Sequence, residues 1–439
     1  MFIAKYAKTQ LMKAIDNIVD NREKYVVNPE TDFTRNRKLT LRNTLGLILS
    51  MTDGSLQNEL FDYSKHYKMN ITSSAFVQRR SKIKVDAFRD ILQTFTKTLF
   101  TPKTFKGYML YAIDGSAINI ATNPNDADTY FVNKQDAKGY NQLHVNALYD
   151  LMNETYIDAI IQPRRKIDEN AAFRKMLANQ VFSRKSIIIA DRNYESFNNV
   201  ATVIEKPNTD FVIRATHGQS ALREIKALPM TELDQIITLE VTTTQTKEDK
   251  IRKRHFIQTG SKKGKINSEK TVISTWDFPS PYAMTFRVVR FQLDTGEYET
   301  LITSLSSDEF SLEDMKKLYA KRWGIETSFR FLKYPCGLIY LHSKKKEFIY
   351  QEIYATLIMY NYCHFIAAGV VVRKKDTKYP YKVNFTMAIS ICRKKLKFNE
   401  PLDTISEDIG RYTEPIRPGR CDLRKLNAKK FVHFLYRAA

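Results

Sequence analysis

The stretch Ser186-Ile187-Ile188-Ile189-Ala190-Asp191 decides the fold class of this chain. Its three consecutive isoleucines are β-branched and favour a buried strand, which stops at the charged Asp191. A second apolar run, Tyr108–Ile113, stops in the same way at Asp114, where a Gly-Ser turn follows. We therefore predict two strands that each end in an aspartate.

The segments around these strands predict a mixed α/β core. They are a hairpin of His144–Asp150 and Tyr156–Gln162, a helix from Asp168 to Gln180, a helix from Ser196 to Lys206 and a strand Asp210–Arg214. The resulting order is βββαβαβ, with carboxylates at the ends of the first and fourth strands. An RNase H-like α/β fold requires this order, so we predict that fold for residues 106–217 and 306–345.

Three further segments complete the predicted organisation. Residues 1–105 carry apolar residues at three- and four-residue steps and predict a helical domain. Residues 218–305 carry short alternating runs between Lys- and Gly-containing turns, which predict an all-β insertion into the core. Residues 346–439 predict a helical, basic C-terminal region.

The charge of the chain points to a polyanionic partner. There are 70 Lys and Arg against 48 Asp and Glu, a formal net charge of +22, and nucleic acid is the leading candidate. No stretch approaches the roughly 20 apolar residues of a spanning helix, because Asn361 and His364 interrupt the most apolar one. The first residues lack the apolar region of a signal peptide, so we expect the protein to stay where it is made.

The N-terminal helical segment shares the basic character, with 18 Lys and Arg against 10 Asp and Glu. Residues 73–82 predict a capped basic helix whose Arg79 and Arg80 could contact DNA. A solvated basic helix face explains the same pattern equally well. The four cysteines lack any paired short spacing, so neither a zinc site nor a disulfide framework follows from them.

The most informative spacing lies in a predicted long helix, Ser311–Lys333, which opens with a capping-box pair, Ser311 and Asp314. Tyr319, Arg322, Glu326 and Lys333 follow the spacing Y-x2-R-x3-E-x6-K. At about 100° per residue these four side chains, together with Arg330, share one helix face. That face presents one carboxylate flanked by cations.

This arrangement suits metal-dependent phosphodiester chemistry. Mg²⁺ prefers carboxylate ligands, and two ions roughly 4 Å apart hold the attacking and leaving oxygens. Asp114, Asp191 and Glu326 could supply the ligands, while Tyr319, Arg322, Arg330 and Lys333 would grip phosphates. The alternative is an ordinary amphipathic helix with i,i+4 ion pairs, each worth only about 0.3–0.5 kcal/mol.

With Ala112–Ser116 and Ala190–Tyr194 upstream, the spacing resembles the DDE transposases of bacterial insertion sequences that carry the Tyr-Arg-Glu-Lys signature. The resemblance implies an RNase H-like core, two Mg²⁺ or Mn²⁺ ions on the three carboxylates, and a homodimer that pairs two element ends. It also implies that the C-terminal region serves dimerisation or end pairing. In such enzymes an aromatic side chain of the β insertion stacks on a flipped base, and Tyr298 and Trp276 are candidates. A core or sheet-face aromatic is the more common explanation for residues of this kind.

The sequence therefore favours a DNA transposase that acts on double-stranded DNA in the cytoplasm, at the bacterial nucleoid. It would bind the terminal inverted repeats of its element, cut phosphodiester bonds and join the freed 3′ hydroxyls to target DNA by cut and paste. Two other functions stay open. One is a DNA-binding protein derived from such an enzyme, and the other is a metal-dependent nuclease without joining activity.

Overall fold

The computed structural model describes residues 2–35, 37–52, 54–99, 103–132, 139–216, 222–263, 270–372 and 377–417. The described residues form a mixed α/β fold. The helices are α1 Phe2–Asp20, α2 Arg22–Tyr25, α3 Leu41–Ser50, α4 Leu56–His66, α5 Ser73–Arg80, α6 Asp86–Thr98, α7 Glu169–Ala178, α8 Phe197–Ile204, α9 Arg223–Lys226, α10 Lys247–Ile251, α11 Leu312–Ala320, α12 Trp323–Lys333, α13 Lys346–Ala368, α14 Phe385–Lys397 and α15 Ile405–Gly410. The strands are β1 Met109–Ile120, β2 Tyr130–Phe131, β3 Tyr140–Asp150, β4 Thr155–Pro163, β5 Ser186–Ala190, β6 Thr209–Arg214, β7 Leu233–Thr242, β8 His255–Phe256, β9 Gly260–Lys263, β10 Lys270–Ser274, β11 Tyr282–Gln292, β12 Tyr298–Thr303, β13 Tyr381–Val383 and β14 Thr413–Pro415.

The chain divides into two compact units. The first comprises Met1–Thr101, Gly115–Ile167 and Glu326–Ala439, and the second comprises Pro102–Asp114 and Asp168–Ile325. These bounds cut across the predicted domains. The helices of residues 1–105 pack with α13 instead of forming a separate domain, because both sides bury apolar faces in that contact. Part of the predicted C-terminal region, residues 418–439, lies outside the described residues.

The N-terminal helices of the first unit begin where the sequence provides capping residues. The side chains of Thr40, Ser55 and Thr72 accept the backbone N–H three residues ahead, at the starts of α3, α4 and α5. Helix α13 is buried along almost its whole length. None of the helices in the described part of the chain combines the length and hydropathy of a membrane-spanning segment.

The β-strands of the first unit follow the predicted hairpin. Strands β3 and β4 pair antiparallel from Leu143 opposite Pro163 to Asp150 opposite Thr155. Strand β3 lies between β2 and β1 in the strand order, with β4 also paired to it. Asn361 of α13 fixes the start of β4, since its amide accepts from the Tyr156 N–H at 2.8 Å and donates to the Tyr156 carbonyl at 2.8 Å.

The second unit contains a sheet in the order β1-β5-β6-β12-β11-β7-β8. Strands β1, β5 and β6 pair parallel, and β6, β12, β11 and β7 pair antiparallel. Strand β5 ends at Ala190, as predicted. Helices α7 and α8, which the sequence also predicts, begin after the N-caps Asp168 and Ser196.

The predicted end of the first strand at Asp114 is wrong. Strand β1 continues through Asp114 to Ile120, and Ile118 and Ile120 are buried. The pairing with β5 stops at Ile113, but β1 also neighbours β3 in the strand order. A strand that exchanges one hydrogen-bonded neighbour for another can continue, and the Gly-Ser pair does not end it.

The prediction of an all-β insertion is also wrong in part, because the described residues of 218–305 contain α9 and α10 as well as strands. Helix α10 forms because Thr246 and Asp249 make a capping box. The Thr-x-x-Asp spacing was readable in the sequence, although the short helix interrupts an otherwise alternating pattern.

Candidate active site

Asp114 and Asp191 follow neighbouring parallel strand segments of the second unit. Ile113 of β1 pairs with Ala190 of β5, so each aspartate is the next residue beyond the same paired position. The Asp114 side chain is 19% exposed. The Asp191 side chain accepts the Asn193 N–H at 2.8 Å, which fixes its direction at the start of a 3₁₀ turn. The two carboxylates therefore lie side by side where the β1–β5 pairing ends.

The helix that carries the Tyr-Arg-Glu-Lys spacing is not continuous, contrary to the prediction. Helix α11 ends at Ala320 and α12 begins at Trp323. Between them the backbone N–H groups of Arg322, Gly324 and Ile325 bond three residues back, at 3.0, 2.9 and 3.1 Å. Such bonds give about three residues per turn instead of 3.6. The face angles calculated for one α-helix therefore do not hold across Arg322. The predicted capping box of Ser311 and Asp314 is present.

Arg322 lies beside Asp114 and Tyr319 in the second unit. Its Nη1 is 3.9 Å from Asp114 Oδ2, and its guanidinium carbon is 5.6 Å from the centre of the Tyr319 ring. Arg322 is 6% exposed, so its charge is poorly screened by water. The arrangement brings a fixed cation to the Asp114 carboxylate, and the same cation could meet a phosphate bound there.

Tyr319 is held in place by packing, and its hydroxyl is buried without a hydrogen-bond partner in the described structure. Burial raises the pKa of Tyr319 to about 12, and the charge of Arg322 opposes this increase. The hydroxyl therefore stays protonated at neutral pH. A buried O–H donor without a partner is uncommon and is suited to an acceptor that arrives with a ligand.

Glu326, Arg330 and Lys333 follow on α12, and this part of the helix belongs to the first unit. Glu326 is partly exposed, Arg330 is exposed, and burial lowers the pKa of the partly buried Lys333. The two aspartates belong to the second unit. Within the described residues, no group of three His, Cys, Asp or Glu side chains could hold a metal ion. The three-carboxylate metal site therefore stays a prediction.

Arg80 does not lie on the surface, as a DNA contact would require. It is 1% exposed, and its guanidinium donates to Gln351 Oε1 at 2.8 Å, Glu352 Oε1 at 3.0 Å and the Phe348 carbonyl at 2.6 Å. It lies one helical turn after the buried Phe76, on the inner face of α5. The prediction that Arg80 contacts DNA is therefore corrected: Arg80 joins α5 to α13. Arg79, its neighbour, is partly exposed.

The two candidate stacking aromatics occupy different settings in the second unit. Trp276 donates its ring N–H to the Pro279 carbonyl at 3.1 Å, and its ring centre lies 5.5 Å from that of Phe278 and 5.6 Å from that of Tyr282. Tyr298 is the first residue of β12 and is partly exposed. Trp276 therefore belongs to an aromatic cluster, and a stacking role for either residue stays a prediction.

Tyr194 was not singled out from the sequence, although it closes the quoted Ala190–Tyr194 stretch. It is 1% exposed, and its hydroxyl has no hydrogen-bond partner in the described structure. Burial raises its pKa well above the ordinary value, and the charges of Glu169, Asp114 and Asp191 raise it further. A tyrosine three residues after a strand-end aspartate was the only sequence signal for it.

Comparison with known proteins identifies the family. A family model described as a transposase DDE domain matches residues 105–362. Two curated relatives from Escherichia coli are 35% identical to the chain over 91 residues: InsL, a transposase for insertion sequence element IS186A, and the transposase for insertion sequence element IS421. Each match covers 20% of this chain. The chain thus spans about a quarter of the length of these relatives, 25% and 24%.

One solved structure is similar over most of the chain. It is the cryo-EM structure of a piggyBac transposase synaptic complex with hairpin DNA, which matches 96% of this chain and 86% of its own at 13% identity. The TM-score is 0.46.

Proposed function

The chain belongs to the family of transposase DDE domains, and from this premise we propose that it is a DNA transposase. It binds the terminal inverted repeats of its element, cleaves phosphodiester bonds with two divalent metal ions and joins the 3′ hydroxyl ends to target DNA by cut and paste. The observation that carries this proposal is the pair Asp114 and Asp191 on neighbouring parallel strand segments, with Arg322 beside Asp114.

The donor chemistry of this pair suits the proposed metal. Carboxylate oxygens are the ligands that Mg²⁺ and Mn²⁺ take in proteins. When bound, the ions would polarise the scissile phosphate and activate the attacking oxygen. Asp114, Asp191 and Glu326 would hold the ions, with Glu326 supplied by α12.

The cations of α11, α12 and their junction serve substrate binding in this proposal. Arg322 adds positive charge at Asp114, and Tyr319 offers a buried hydroxyl donor. Arg330 and Lys333 lie one and two turns beyond Glu326 on α12 and would bind backbone phosphates. The net charge of +22 agrees with a polyanionic substrate such as double-stranded DNA.

The proposal also assigns a role to each of the other segments of the chain. The catalytic core is RNase H-like, the N-terminal helices bind DNA, and residues 346–439 serve end pairing or dimerisation in a homodimer. Tyr298 or Trp276 stacks on a flipped base. The enzyme acts in the bacterial cytoplasm, at the nucleoid.

The direct test is cleavage of labelled duplex DNA that carries the inverted repeats flanking the gene, with Mg²⁺ present. Glu326→Gln keeps the size of the side chain and removes its charge, so we expect end binding without cutting. Glu313→Gln is the matched control, because Glu313 is an exposed carboxylate of α11. This control should cut as fast as the wild-type protein.

The outcomes separate the three candidate functions. Release of a 3′ hydroxyl and its joining to a plasmid, both lost in Glu326→Gln, supports the transposase. Cutting without joining, even with paired ends, indicates a nuclease. If the wild-type protein and Glu326→Gln both bind the ends tightly and neither cuts them, the catalytic proposal is refuted and the DNA-binding function remains.

A further inference from the structure

A cavity of about 590 Å³ lies in the first unit, between the loop after α2 and helix α5. The residues that line it are strongly biased in charge. One acidic side chain, Glu30, faces five basic ones, which we call the basic cluster: Arg35, Arg37, Lys38, Arg79 and Lys82. The neutral lining includes the polar side chains of Thr31, Thr34, Asn70 and Gln78.

Two members of the basic cluster are fixed by the fold. Lys82 pairs with the buried Asp32 at 2.6 Å. Arg79 donates from Nε and Nη2 to the Leu39 carbonyl at 2.9 and 2.7 Å, and its guanidinium lies 4.1 Å from the centre of the Phe33 ring. These contacts use two of the five N–H donors of Arg79, and they hold the guanidinium charge at the cavity wall.

The other three members are exposed and, among the described residues, make no ion pair. They are Arg35, Arg37 and Lys38. Burial lowers the pKa of Arg79 and the charge of Arg37 lowers it further, against an opposing effect of Asp32, so the two guanidinium groups repel each other. An anion between them would relieve this repulsion and accept hydrogen bonds from both sides.

We propose that this cavity binds a backbone phosphate of duplex DNA through the basic cluster. The proposal rests on the proposed function, since it names one place where the substrate is held, and it uses none of the predicted catalytic residues. Guanidinium groups suit phosphate because their planar donors match its oxygens in pairs. Arg79, not Arg80, is the DNA contact that α5 provides.

The test measures how the affinity for inverted-repeat duplex depends on salt. All proteins carry Glu326→Ala and contain no added metal, so cutting cannot interfere. Each phosphate contact contributes about 0.9 to the slope of log affinity against log salt concentration. We expect Arg37→Ala with Lys38→Ala to reduce the magnitude of the slope by about 1 and the affinity at low salt roughly tenfold.

A second variant preserves the scaffold and opposes the anion. Ala75 is exposed, lines the cavity and donates its backbone N–H to the Thr72 N-cap. Ala75→Glu places an acid where helix N-termini favour one, so α5 should remain folded. We expect it to reduce the magnitude of the slope by about 1 as well. The control removes two exposed lysines of α1 and α6, Lys13→Ala with Lys97→Ala, and should leave the slope within about 0.5.

Three results would overturn the proposal. The slope could stay unchanged in both cavity variants. The control could also reduce its magnitude equally, which would indicate a non-specific effect of the net positive charge. Alternatively, millimolar inorganic phosphate could raise the melting temperature of the wild-type protein but not of Ala75→Glu, with DNA binding unchanged, which would indicate a free phosphate ligand. If the slope falls as expected but the otherwise wild-type enzyme never cuts, the cavity stands and the transposase proposal fails.

Discussion

Replacing Arg80 with methionine tests the buried ion pair that joins α5 to α13 in the first unit. Arg80 is 1% exposed and its partner Glu352 is 6% exposed. Glu352 also accepts the backbone N–H of His342 at 2.8 Å. Arg80→Met keeps an unbranched chain of similar length and removes the cation, so the Glu352 carboxylate stays buried without its main partner.

The expected loss of stability can be estimated in two ways. Removing one partner of a buried ion pair typically costs about 3–5 kcal/mol. Burial alone would raise the pKa of Glu352, but the charge of Arg80 and the His342 contacts outweigh it and lower the pKa from 4.5 to about 2. At about 1.4 kcal/mol for each pH unit, that decrease corresponds to roughly 3 kcal/mol for Arg80 and His342 together, so it is an upper bound for Arg80 alone. We therefore expect the free energy of unfolding to fall by about 3 kcal/mol at neutral pH.

The stabilisation that the ionised Glu352 contributes depends on pH. Because the pKa of Glu352 is lowered in the folded protein, the stabilisation is complete above about pH 4.5 and is lost as the pH falls toward about 2. Without Arg80, burial raises that pKa, so the carboxyl can take up a proton and remain buried at lower cost. The difference between wild type and Arg80→Met should therefore shrink as the pH falls below about 4.

Urea unfolding followed by far-ultraviolet circular dichroism is the suitable assay. This signal follows all the helices, whereas both tryptophans, Trp276 and Trp323, belong to the second unit. Arg35→Met, at an exposed arginine, is the control and should change stability by less than about 0.5 kcal/mol. A loss below about 1 kcal/mol for Arg80→Met, or a loss that grows as the pH falls, would refute the reasoning.

Two further predictions concern buried polar groups. Tyr319→Phe removes a buried hydroxyl without a partner in the described structure. The free energy of unfolding should change by less than about 0.5 kcal/mol, while the rate of end-DNA cleavage falls about tenfold. Equal cleavage rates in the variant and the wild type would exclude a phosphate contact for this hydroxyl. Asn361→Leu leaves the buried Tyr156 N–H without its partner, whereas the Thr96 hydroxyl still donates to the Tyr156 carbonyl at 3.2 Å. Urea unfolding should therefore show a loss of about 2 kcal/mol. Tyr362→Phe is the control, because it removes a hydroxyl one residue further along α13 that has no hydrogen-bond partner among the described residues. An equal loss in both variants would contradict the hydrogen-bond explanation.

Several elements of the fold were predictable because their signals are local. Strand β5 has the predicted bounds Ser186–Ala190, since a β-branched run followed by an aspartate specifies both the strand and its end. The hairpin of β3 and β4 and the helices α7 and α8 are confirmed for the same reason. The end of β1 was not predictable, because continuation beyond Gly115 depends on a neighbouring strand that is distant in sequence.

The candidate site shows the same division. Asp114 and Asp191 lie side by side as the sequence predicted, because each is the next residue after the last β1–β5 pair, Ile113 opposite Ala190, even though β1 itself continues. The break between α11 and α12 was missed, since the spacing of Tyr319, Arg322 and Glu326 fits an unbroken helix just as well. The sequence alone could not distinguish a regular turn from one with bonds three residues back.

The sequence by itself determined the family signature, the basic charge and most elements of the α/β core, because residue type, spacing and periodicity are local properties. Tertiary structure alone decided which charged side chains remain available to a ligand. Arg79 and Arg80 are adjacent and identical in type, yet Arg79 lines a cavity and Arg80 is buried against Glu352. Adjacent helix positions point about 100° apart, and only the packing of α5 against α13 determines which of the two directions is the interior.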